Sequence, residues 1–355
     1  MAIPYRHRRT IQRVATITLT VVLIALIAWL AWIVWLQRYV VYTKDGAKLD
    51  FDLSSNDITG ELADPPREQM GISIFYNEGA NAINTEQEME QINGYYITSD
   101  MFQTDVAGLL KKIAPLEAGT AMMIDMKGPY GSFFYNTKIN GAVLSASTDI
   151  PAVADLVKKC QMKGFYTIAR ISALRDWDFG NSHVTSGLYM TNRRGLWMDQ
   201  GGYFWLDPTN ATVINHLSSM ILELRDMGFN EVLLDNFRFP VSDQYLFDGD
   251  KPAALLTCAE KLIESCASDN FVISFCVEDP AFALPEGRTR IYLSNIDPSN
   301  IARQASLATV TDPEIRLVSL CETGDTRYDE YSVLRSINVA EEVEARKGNI
   351  QAQQG

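Results

Sequence analysis

The sequence is poor in histidine, has no paired cysteine motif and contains no glycine-rich phosphate loop. Only His7, His183 and His216 are present, which argues against a zinc site built on histidine. The five cysteines form no CxxC or CxxH unit, so a cysteine metal cluster has no support either. We therefore expect buried free thiols, no metal and no cofactor. The cysteines are Cys160, Cys258, Cys266, Cys276 and Cys321.

Basic residues are scarce outside the N-terminal part of the chain. The 355 residues include 31 Lys and Arg against 44 Asp and Glu. Residues 1–38 hold five Arg and no acid, so 26 basic and 44 acidic residues remain beyond them. An acidic chain of this kind does not offer the basic face that nucleic acids need. We expect a neutral or cationic partner and no nucleic acid.

Charge is absent from Val14 to Leu36, a run of twenty-three residues. This exceeds the ~20 residues that cross a hydrocarbon core, and it is longer than the apolar core of a cleaved signal peptide. Four Arg precede the run, which favours a cytoplasmic N-terminus. We expect a single-pass cell-membrane protein: a cytoplasmic tail at 1–13, a transmembrane signal anchor at 14–36, and the remainder outside the cytoplasm.

Beyond the apolar run, residues 37–70 mix charges, Ser, Gly and Pro without periodicity, which is typical of a linker. Residues 71–355 are expected to form one domain. Helices bracketed by Pro and Gly or beginning at Pro are predicted at 151–164, 208–228 and 252–265. Eight short apolar runs predict strands: GISIFY, GYYITS, AMMIDM, FYTIARI, EVLLDNF, FVISFCV, RIYLSNI and IRLVSLC.

These strands are apolar throughout and alternate with helices, which indicates a parallel α/β fold. A doubly wound sheet and a (β/α)₈ TIM-type barrel both satisfy the pattern. The missing phosphate loop favours the barrel. So do the polar residues at successive strand ends, because a barrel assembles its active site there. These residues are Asp125 and Lys127, Arg170, Asp235 with Asn236 and Arg238, and Glu278.

Asp235 and Glu278 end consecutive strands, so their carboxyl groups are expected to face one another across a cleft. Neighbouring strands lie about 4.8 Å apart, and a carboxyl pair at such separations performs glycoside hydrolysis. We expect Asp235 to act as nucleophile or base, held ionised by Arg238, and Glu278 to act as the acid. The alternatives without a catalytic role are a structural Asp235–Arg238 salt bridge and a solvent-exposed Glu278.

The long connection from Ser172 to Asp207 is rich in aromatic residues and has no obvious helix. It contains Trp177, Trp197 and Trp205. Sugar rings stack on such side chains while their hydroxyl groups bond to Asp, Arg and Asn. The connection therefore predicts a substrate loop, although local packing is the better explanation for each Trp taken singly.

The motif series in this region resembles a known family. GYYITSDM, AMMIDMKGPYG, GFYTIARISALRDW, RRGLWMDQGGYFWLDP and GFNEVLLDNFRFP occur in that order across roughly residues 94–280. The series resembles the bacterial glycosyl hydrolase domain of unknown function found in envelope proteins. That domain is regarded as a TIM barrel of the α-amylase group, and the resemblance implies the same fold here.

The resemblance marks particular residues as those of the site. They are Asp125 and Lys127 of Ile-Asp-x-Lys, Arg170 of Ile-Ala-Arg-Ile, Trp205 and Asp207 of Trp-x-Asp-Pro, and Asp235 and Arg238 of Asp-x-x-Arg-Phe-Pro. Past Pro280 the family's usual motifs are missing and no final strand is evident. Either GISIFY at 71–76 supplies the closing strand or the barrel is incomplete.

The motifs and the predicted fold are consistent with two functions. The first is a membrane-anchored, extracytoplasmic glycoside hydrolase acting on an envelope or extracellular polysaccharide. Its catalytic residues would be Asp235 and Glu278, with Asp125 as the next candidate. The second is a carbohydrate-binding or envelope-scaffold protein that keeps the cleft without the chemistry, because a fold does not determine a function. Hydrolysis of another bond, such as an amide, finds no Ser-His-Asp arrangement to support it.

Overall fold

The computed structural model describes residues 89–285, 287–294 and 296–354, together with 40–43, 46–49 and positions 25 and 29. Two strands, β1 (Val40–Thr43) and β2 (Gly46–Leu49), pair antiparallel. They belong to a unit that comprises Met1–Tyr76, whereas Asn77–Gly355 form a second unit. In the described part of the chain, no helix has the length and apolar character needed to span a membrane. Nearly all of the apolar run 14–36 lies outside that part.

Eight parallel strands of the second unit close into a barrel, so the predicted TIM-type α/β barrel is confirmed. Each strand pairs with the next, and the last pairs with the first through Leu334 and Gly94. The strands are β3 (Asn93–Ile97), β4 (Ala121–Lys127), β7 (Tyr166–Ser172), β9 (Glu231–Asp235), β11 (Val272–Cys276), β12 (Ile291–Ser294), β13 (Leu317–Cys321) and β14 (Ser332–Ser336). Short strands β5 (Ser132–Phe133), β6 (Val143–Leu144), β8 (Tyr189–Met190) and β10 (Tyr245–Leu246) lie in the connections.

The eighth strand, β14, is the one that the sequence reading missed. Three of the five residues of its sequence SVLRS are polar, yet all five are buried. Arg335 is only 1% exposed and is held by the Asp329 carboxylate at 2.6 Å and by the Asp325 carbonyl at 3.0 Å. The expectation of an incomplete barrel is therefore wrong. Residues 71–76 lie outside the described residues, and the barrel closes without them.

Helices cover the outside of the barrel. They are α1 (Ser99–Ile113), α2 (Ile150–Met162), α3 (Trp177–Ser182), α4 (Ala211–Asp226), α5 (Lys251–Cys266), α6 (Ile301–Leu307), α7 (Pro313–Arg316) and α8 (Ala340–Gln354). Helices α2 and α4 begin at caps whose side chains accept a backbone N–H, Asp149 and Asn210. The three helices predicted from Pro and Gly brackets are confirmed at α2, α4 and α5.

Two apolar layers result from the alternation of side chains along each strand. Tyr96, Met123, Ile168, Leu233 and Leu334 belong to one cluster of buried side chains. Their strand neighbours, such as Met122 and Leu234, belong to a second and larger cluster that includes the buried faces of the helices. Strands buried on both faces explain why the runs read as apolar throughout.

The N-terminal end of the barrel is closed by a polar network rather than by apolar side chains. Glu231 is fully buried and its carboxylate accepts from Arg290 Nη1 at 2.5 Å. The Tyr292 and Tyr166 hydroxyl groups donate to it at 2.6 and 2.9 Å. Because every charge in the network has a partner, the network can be buried.

Candidate active site

The predicted polar strand ends lie together at the C-terminal end of the barrel, where such folds carry their sites. Asp125 at the end of β4 forms an ion pair with Arg170 of β7, with Nε to Oδ1 at 2.5 Å. Arg170 in turn interacts electrostatically with Asp235 of β9. Asp235 and Glu278 line the same cavity. The barrel topology has therefore brought together residues from four strands or strand ends.

The cavity has a volume of about 570 Å³ and lies beside the ends of β9, β11 and β12. Four of the predicted site residues line it: Asp235, Asn236, Arg238 and Glu278. Eight further residues that were not predicted from the sequence also line it: Cys276, Val277, Leu293, Ser294, Ile296, Asp297, Asn300 and Gln304. Carboxylate, amide, hydroxyl and guanidinium groups thus surround a space of the size that small ligands occupy.

Asp235 is held by its immediate surroundings. Its Oδ1 accepts the backbone N–H of Asn236 at 2.8 Å. Asn236 has φ of 54°, a left-handed conformation that asparagine tolerates better than most residues. The side chain of Asn236 donates to the Ser172 hydroxyl at 3.2 Å. The turn that follows β9 therefore presents the Asp235 carboxylate at the cavity wall.

Cys276 lines the cavity beside Asp235 and was not predicted as a site residue. It ends β11, the strand next to β9, and its thiol lies 3.7 Å from the Ser294 hydroxyl. Burial, and then the Asp235 carboxylate, raises the pKa of the Cys276 thiol to about 12. The thiol is protonated at neutral pH and is not a nucleophile. Its position at a strand end was the available signal.

Asp125 has both carboxylate oxygens occupied. Besides the Nε contact, Arg170 Nη2 donates to Oδ2 at 3.0 Å, and the Ser99 backbone N–H donates to the same oxygen at 2.8 Å. Burial opposes the charge of Arg170, but Asp125 and then Asp235 raise the pKa of the guanidinium above its ordinary value. Asp125 does not line the cavity. This geometry fits a residue that positions Arg170 beside Asp235.

The expected pairing of Arg238 with Asp235 is not the one that the structure has. Arg238 Nη1 lies 3.2 Å from Glu278 Oε1, and the guanidinium lies over the Trp205 ring at 5.1 Å. The ring and the carboxylate hold the guanidinium from two sides. The charged neighbour that acts on Asp235 is instead Arg170 of β7, the strand that pairs with β9.

Lys127 lies below the mouth rather than in the cavity. Its Nζ is 2.6 Å from Asp176 Oδ2, and the two side chains are 0% and 1% exposed. It also donates to the Ser172 carbonyl at 2.9 Å. A substrate cannot contact this ammonium group in the present conformation, so the structure gives Lys127 an internal partner.

The tryptophans of the long connection have three different surroundings, and none lines the cavity. Trp205 is 2% exposed and donates its indole N–H to Asp199 at 3.0 Å. Trp197 is 7% exposed and packs against Tyr245 at 5.4 Å between ring centroids. Trp177 is 37% exposed at the start of α3. The connection thus contains a short helix that the sequence reading did not anticipate.

Two acids of this connection stabilise its turns. Asp207 accepts the backbone N–H of Thr209 at 2.8 Å and its hydroxyl at 2.7 Å. Asp199 accepts the Nε–H of Arg175 at 2.7 Å. Burial opposes ionisation of Asp199, but the hydrogen bonds from Arg175 and Trp205 lower its pKa. Asp207 does not line the cavity, and its contacts are those of a residue that fixes a loop.

A metal centre is absent from the part of the chain that the structure describes. Within that part, no group of three His, Cys, Asp or Glu side chains is placed to hold an ion. The five cysteines are free, and four of them are buried. The chemical groups available in the cavity are therefore carboxylates, amides, a guanidinium, a thiol and a hydroxyl.

The closed parallel α/β barrel and the carboxylates around the cavity at its C-terminal mouth place the protein in the class of TIM-type barrels that carry a site at that end. Residues 94–260 match the family model described as "Putative glycosyl hydrolase domain". The motif resemblance to that family is thereby confirmed over this part of the chain.

Solved structures agree with the fold. The PgaB (BpsB) glycoside hydrolase domain from Bordetella bronchiseptica matches with a TM-score of 0.53 and 10% identity, over 72% of this chain and 98% of that one. The α-galactosidase from Lactobacillus brevis matches with a TM-score of 0.51 and 10% identity, over 75% of this chain. This chain spans 41% of that α-galactosidase. No curated protein sequence matches the chain.

Proposed function

We propose that the chain is a glycoside hydrolase that acts on an envelope or extracellular polysaccharide or oligosaccharide. The observation that carries the proposal is that Asp235 and Glu278 line one cavity of about 570 Å³ at the mouth of the barrel. Two carboxyl groups flanking a bound sugar are what cleavage of a glycosidic bond requires. The match of residues 94–260 to the glycosyl hydrolase family model is consistent with this assignment.

In this proposal Asp235 is the nucleophile or the base. It is anchored by the Asn236 N–H and lies in the field of Arg170, so its carboxylate stays oriented towards the cavity. Asp125 acts through Arg170 and is a positioning residue. Asn236 and Arg238 also line the cavity and bind sugar hydroxyl groups.

Glu278 is the acid in this proposal, and substrate must change its surroundings. Glu278 Oε1 already has the Arg238 guanidinium at 3.2 Å, and the side chain is 63% exposed. An acid must reach the glycosidic oxygen, so the ion pair has to open when the sugar binds. The same observation favours the second candidate function, a carbohydrate-binding or scaffold protein in which the pair never opens.

The test measures release of reducing sugars from purified cell-wall and extracellular polysaccharides by the full chain. Asp235→Asn removes the charge and keeps the shape, so turnover should fall by about a thousandfold or more while sugar binding survives. Asp248→Asn, an exposed acid outside the cavity, is the matched control and should leave turnover unchanged. Unchanged turnover in Asp235→Asn overturns the assignment. Sugar binding without turnover in the unmodified chain supports the binding protein instead.

We also propose that residues 14–36 anchor the chain in a membrane, with the barrel outside the cytoplasm. The proposal rests on the uncharged run and on the four Arg that precede it. A phosphatase reporter fused after Gly355 should be active, whereas a reporter that works only in the cytoplasm should be silent there. The reverse result, or a mature chain that begins near residue 40, contradicts a signal anchor.

A further inference from the structure

A second cavity of about 390 Å³ adjoins the one described above. Its walls come from the turn after β9, the first turns of α5 and the loop after β11. Most of the wall is apolar, and the side chains that form it include Phe239, Leu255, Leu256, Val277, Ala281 and Phe282. This second cavity is thus lined differently from the first, whose wall is mainly polar.

Three residues line both cavities: Arg238, Val277 and Glu278. Asp235 lines the first cavity and not the second. The Arg238–Glu278 ion pair, 3.2 Å between Nη1 and Oε1, therefore stands where the two cavities meet. A ligand that occupied both would pass directly by the Glu278 carboxyl group.

Two residues of the floor of the second cavity, Phe237 and Phe282, pack against Phe275, which does not itself line the cavity. Phe237 lies 4.7 Å from Phe275 and 6.4 Å from Phe282, measured between ring centroids. Phe237 and Phe275 are fully buried, so the cluster is part of the barrel's outer core. A floor packed in this way does not collapse into the cavity, and a preformed apolar cavity binds apolar ligands well.

The charged groups at the rim have partners within the chain. Lys251 donates to the Tyr245 hydroxyl at 2.6 Å and lies 4.6 Å from the centre of that ring. Asp279 accepts the backbone N–H of Ala281 at 2.9 Å. A sugar ring in this cavity would find few free polar groups for its hydroxyls, and unpaired hydroxyls are costly to bury. An aromatic ring meets no such penalty.

We propose that the second cavity is the leaving-group site and that it binds an aromatic aglycone. The inference rests on the proposed function, in which Glu278 protonates the glycosidic oxygen. The sugar then lies on the side of Glu278 where Asp235 is, and the group attached through the glycosidic oxygen lies on the other side. The proposed polysaccharide or oligosaccharide substrate is thereby narrowed to an oligosaccharide that is joined through its glycosidic oxygen to an apolar ring.

The experiment titrates the full chain with 4-methylumbelliferone, an aromatic leaving group without a sugar. Ala253→Trp and Ala281→Trp are designed to fill the cavity with an indole, one from α5 and one from the loop after β11. Both alanines line the cavity and are exposed, so folding should tolerate the change. Ala302→Trp, at an exposed alanine of α6 outside both cavities, is the matched control. Both filling variants should weaken binding about tenfold or more, and the control should stay within about twofold.

Asp235→Asn separates this inference from the proposed function, because Asp235 does not line the second cavity. That variant should bind 4-methylumbelliferone as the unmodified chain does. For any 4-methylumbelliferyl glycoside that is turned over, Ala281→Trp should raise KM more than for the methyl glycoside of the same sugar. Absence of binding, or equal binding by the filling variants, overturns the inference even if hydrolysis is found. If the filling variants weaken 4-methylumbelliferone binding but no glycoside is turned over, the proposed hydrolase function is wrong and the aromatic binding site stands.

Discussion

Arg290 Nη1 lies 2.5 Å from Glu231 Oε2 at the N-terminal end of the barrel, and the two side chains are 2% and 0% exposed. The guanidinium also donates to the Glu90 and Ile315 carbonyls at 2.8 and 3.3 Å. Because solvent cannot replace any of these contacts, the loss of one charge leaves the other buried without compensation. The pair therefore bears on stability, while the site lies at the opposite end.

Glu231→Gln should consequently lower the free energy of unfolding by about 3 kcal/mol or more. Urea denaturation of the full chain, followed by circular dichroism, measures it. The matched control is Asp155→Asn, which breaks the Lys159–Asp155 pair, 2.7 Å apart and about half exposed on both sides. That change should cost less than about 1 kcal/mol. Equal effects of the two variants would contradict the role given to the buried network.

His216 makes stability depend on pH. Burial, and then the nearby Lys127 charge, lowers its pKa from 6.5 to about 4, although Asp176 acts in the opposite direction. His216 Nε2 lies 3.9 Å from Asp176 Oδ2, and Phe179 stacks on the imidazole at 4.0 Å. Between pH 6.5 and 4 the unfolded chain binds this proton and the folded chain does not, so stability falls as the pH falls.

The unmodified chain should lose up to about 3 kcal/mol more than His216→Asn between pH 7 and pH 4. Urea midpoints measured across this range provide the comparison, and the difference between the two proteins removes the contribution of the other acids. Parallel curves for His216→Asn and the unmodified chain would remove this explanation.

Gly94 allows β3 to pass close to β4. A Cβ at this position would lie 1.9 Å from the Ala121 carbonyl oxygen, a backbone atom that cannot move away. Gly94→Ala should therefore prevent folding or cost about 3 kcal/mol or more. Gly195→Ala is the matched control, since its Cβ would meet only the end of Met190 at 3.5 Å. Soluble yield and the thermal midpoint distinguish the two, and an undisturbed Gly94→Ala would mean that the strands can separate.

Asp125 and Asp235 should respond differently to the same substitution. Asp125→Asn leaves Arg170 without its ion-pair partner, so the free energy of unfolding should drop by about 2–3 kcal/mol together with any turnover. Asp235→Asn should lower turnover by about a thousandfold or more while leaving the unfolding midpoint nearly unchanged. Thermal unfolding and hydrolysis assays of both variants test this. A stable but inactive Asp125→Asn would make Asp125 the catalytic acid that the motif also allowed.

The parallel barrel could be predicted from the sequence because its cause is local. Strands buried on both faces are apolar throughout, and the ends of helices are marked in the sequence by Pro, Gly and capping residues. Seven of the eight predicted apolar runs are barrel strands, and the strand ends converge as expected. Strand β14 could not be predicted from hydropathy because it contains Arg335. The ion pair with Asp329 compensates the burial of that charge, and a hydropathy pattern does not reveal such a contact.

The partners of the site residues were decided by the tertiary structure alone. Arg238 is three residues from Asp235 in the chain, yet its guanidinium pairs with Glu278 from the loop after the next strand. Lys127 ends the same strand that contains Asp125, but its ammonium group pairs with Asp176 of the long connection. The sequence by itself determined which strand ends carry ionisable groups, since that follows from order along the chain. Which of them face one cavity depended on side-chain direction and on loops that only the closed barrel brings together.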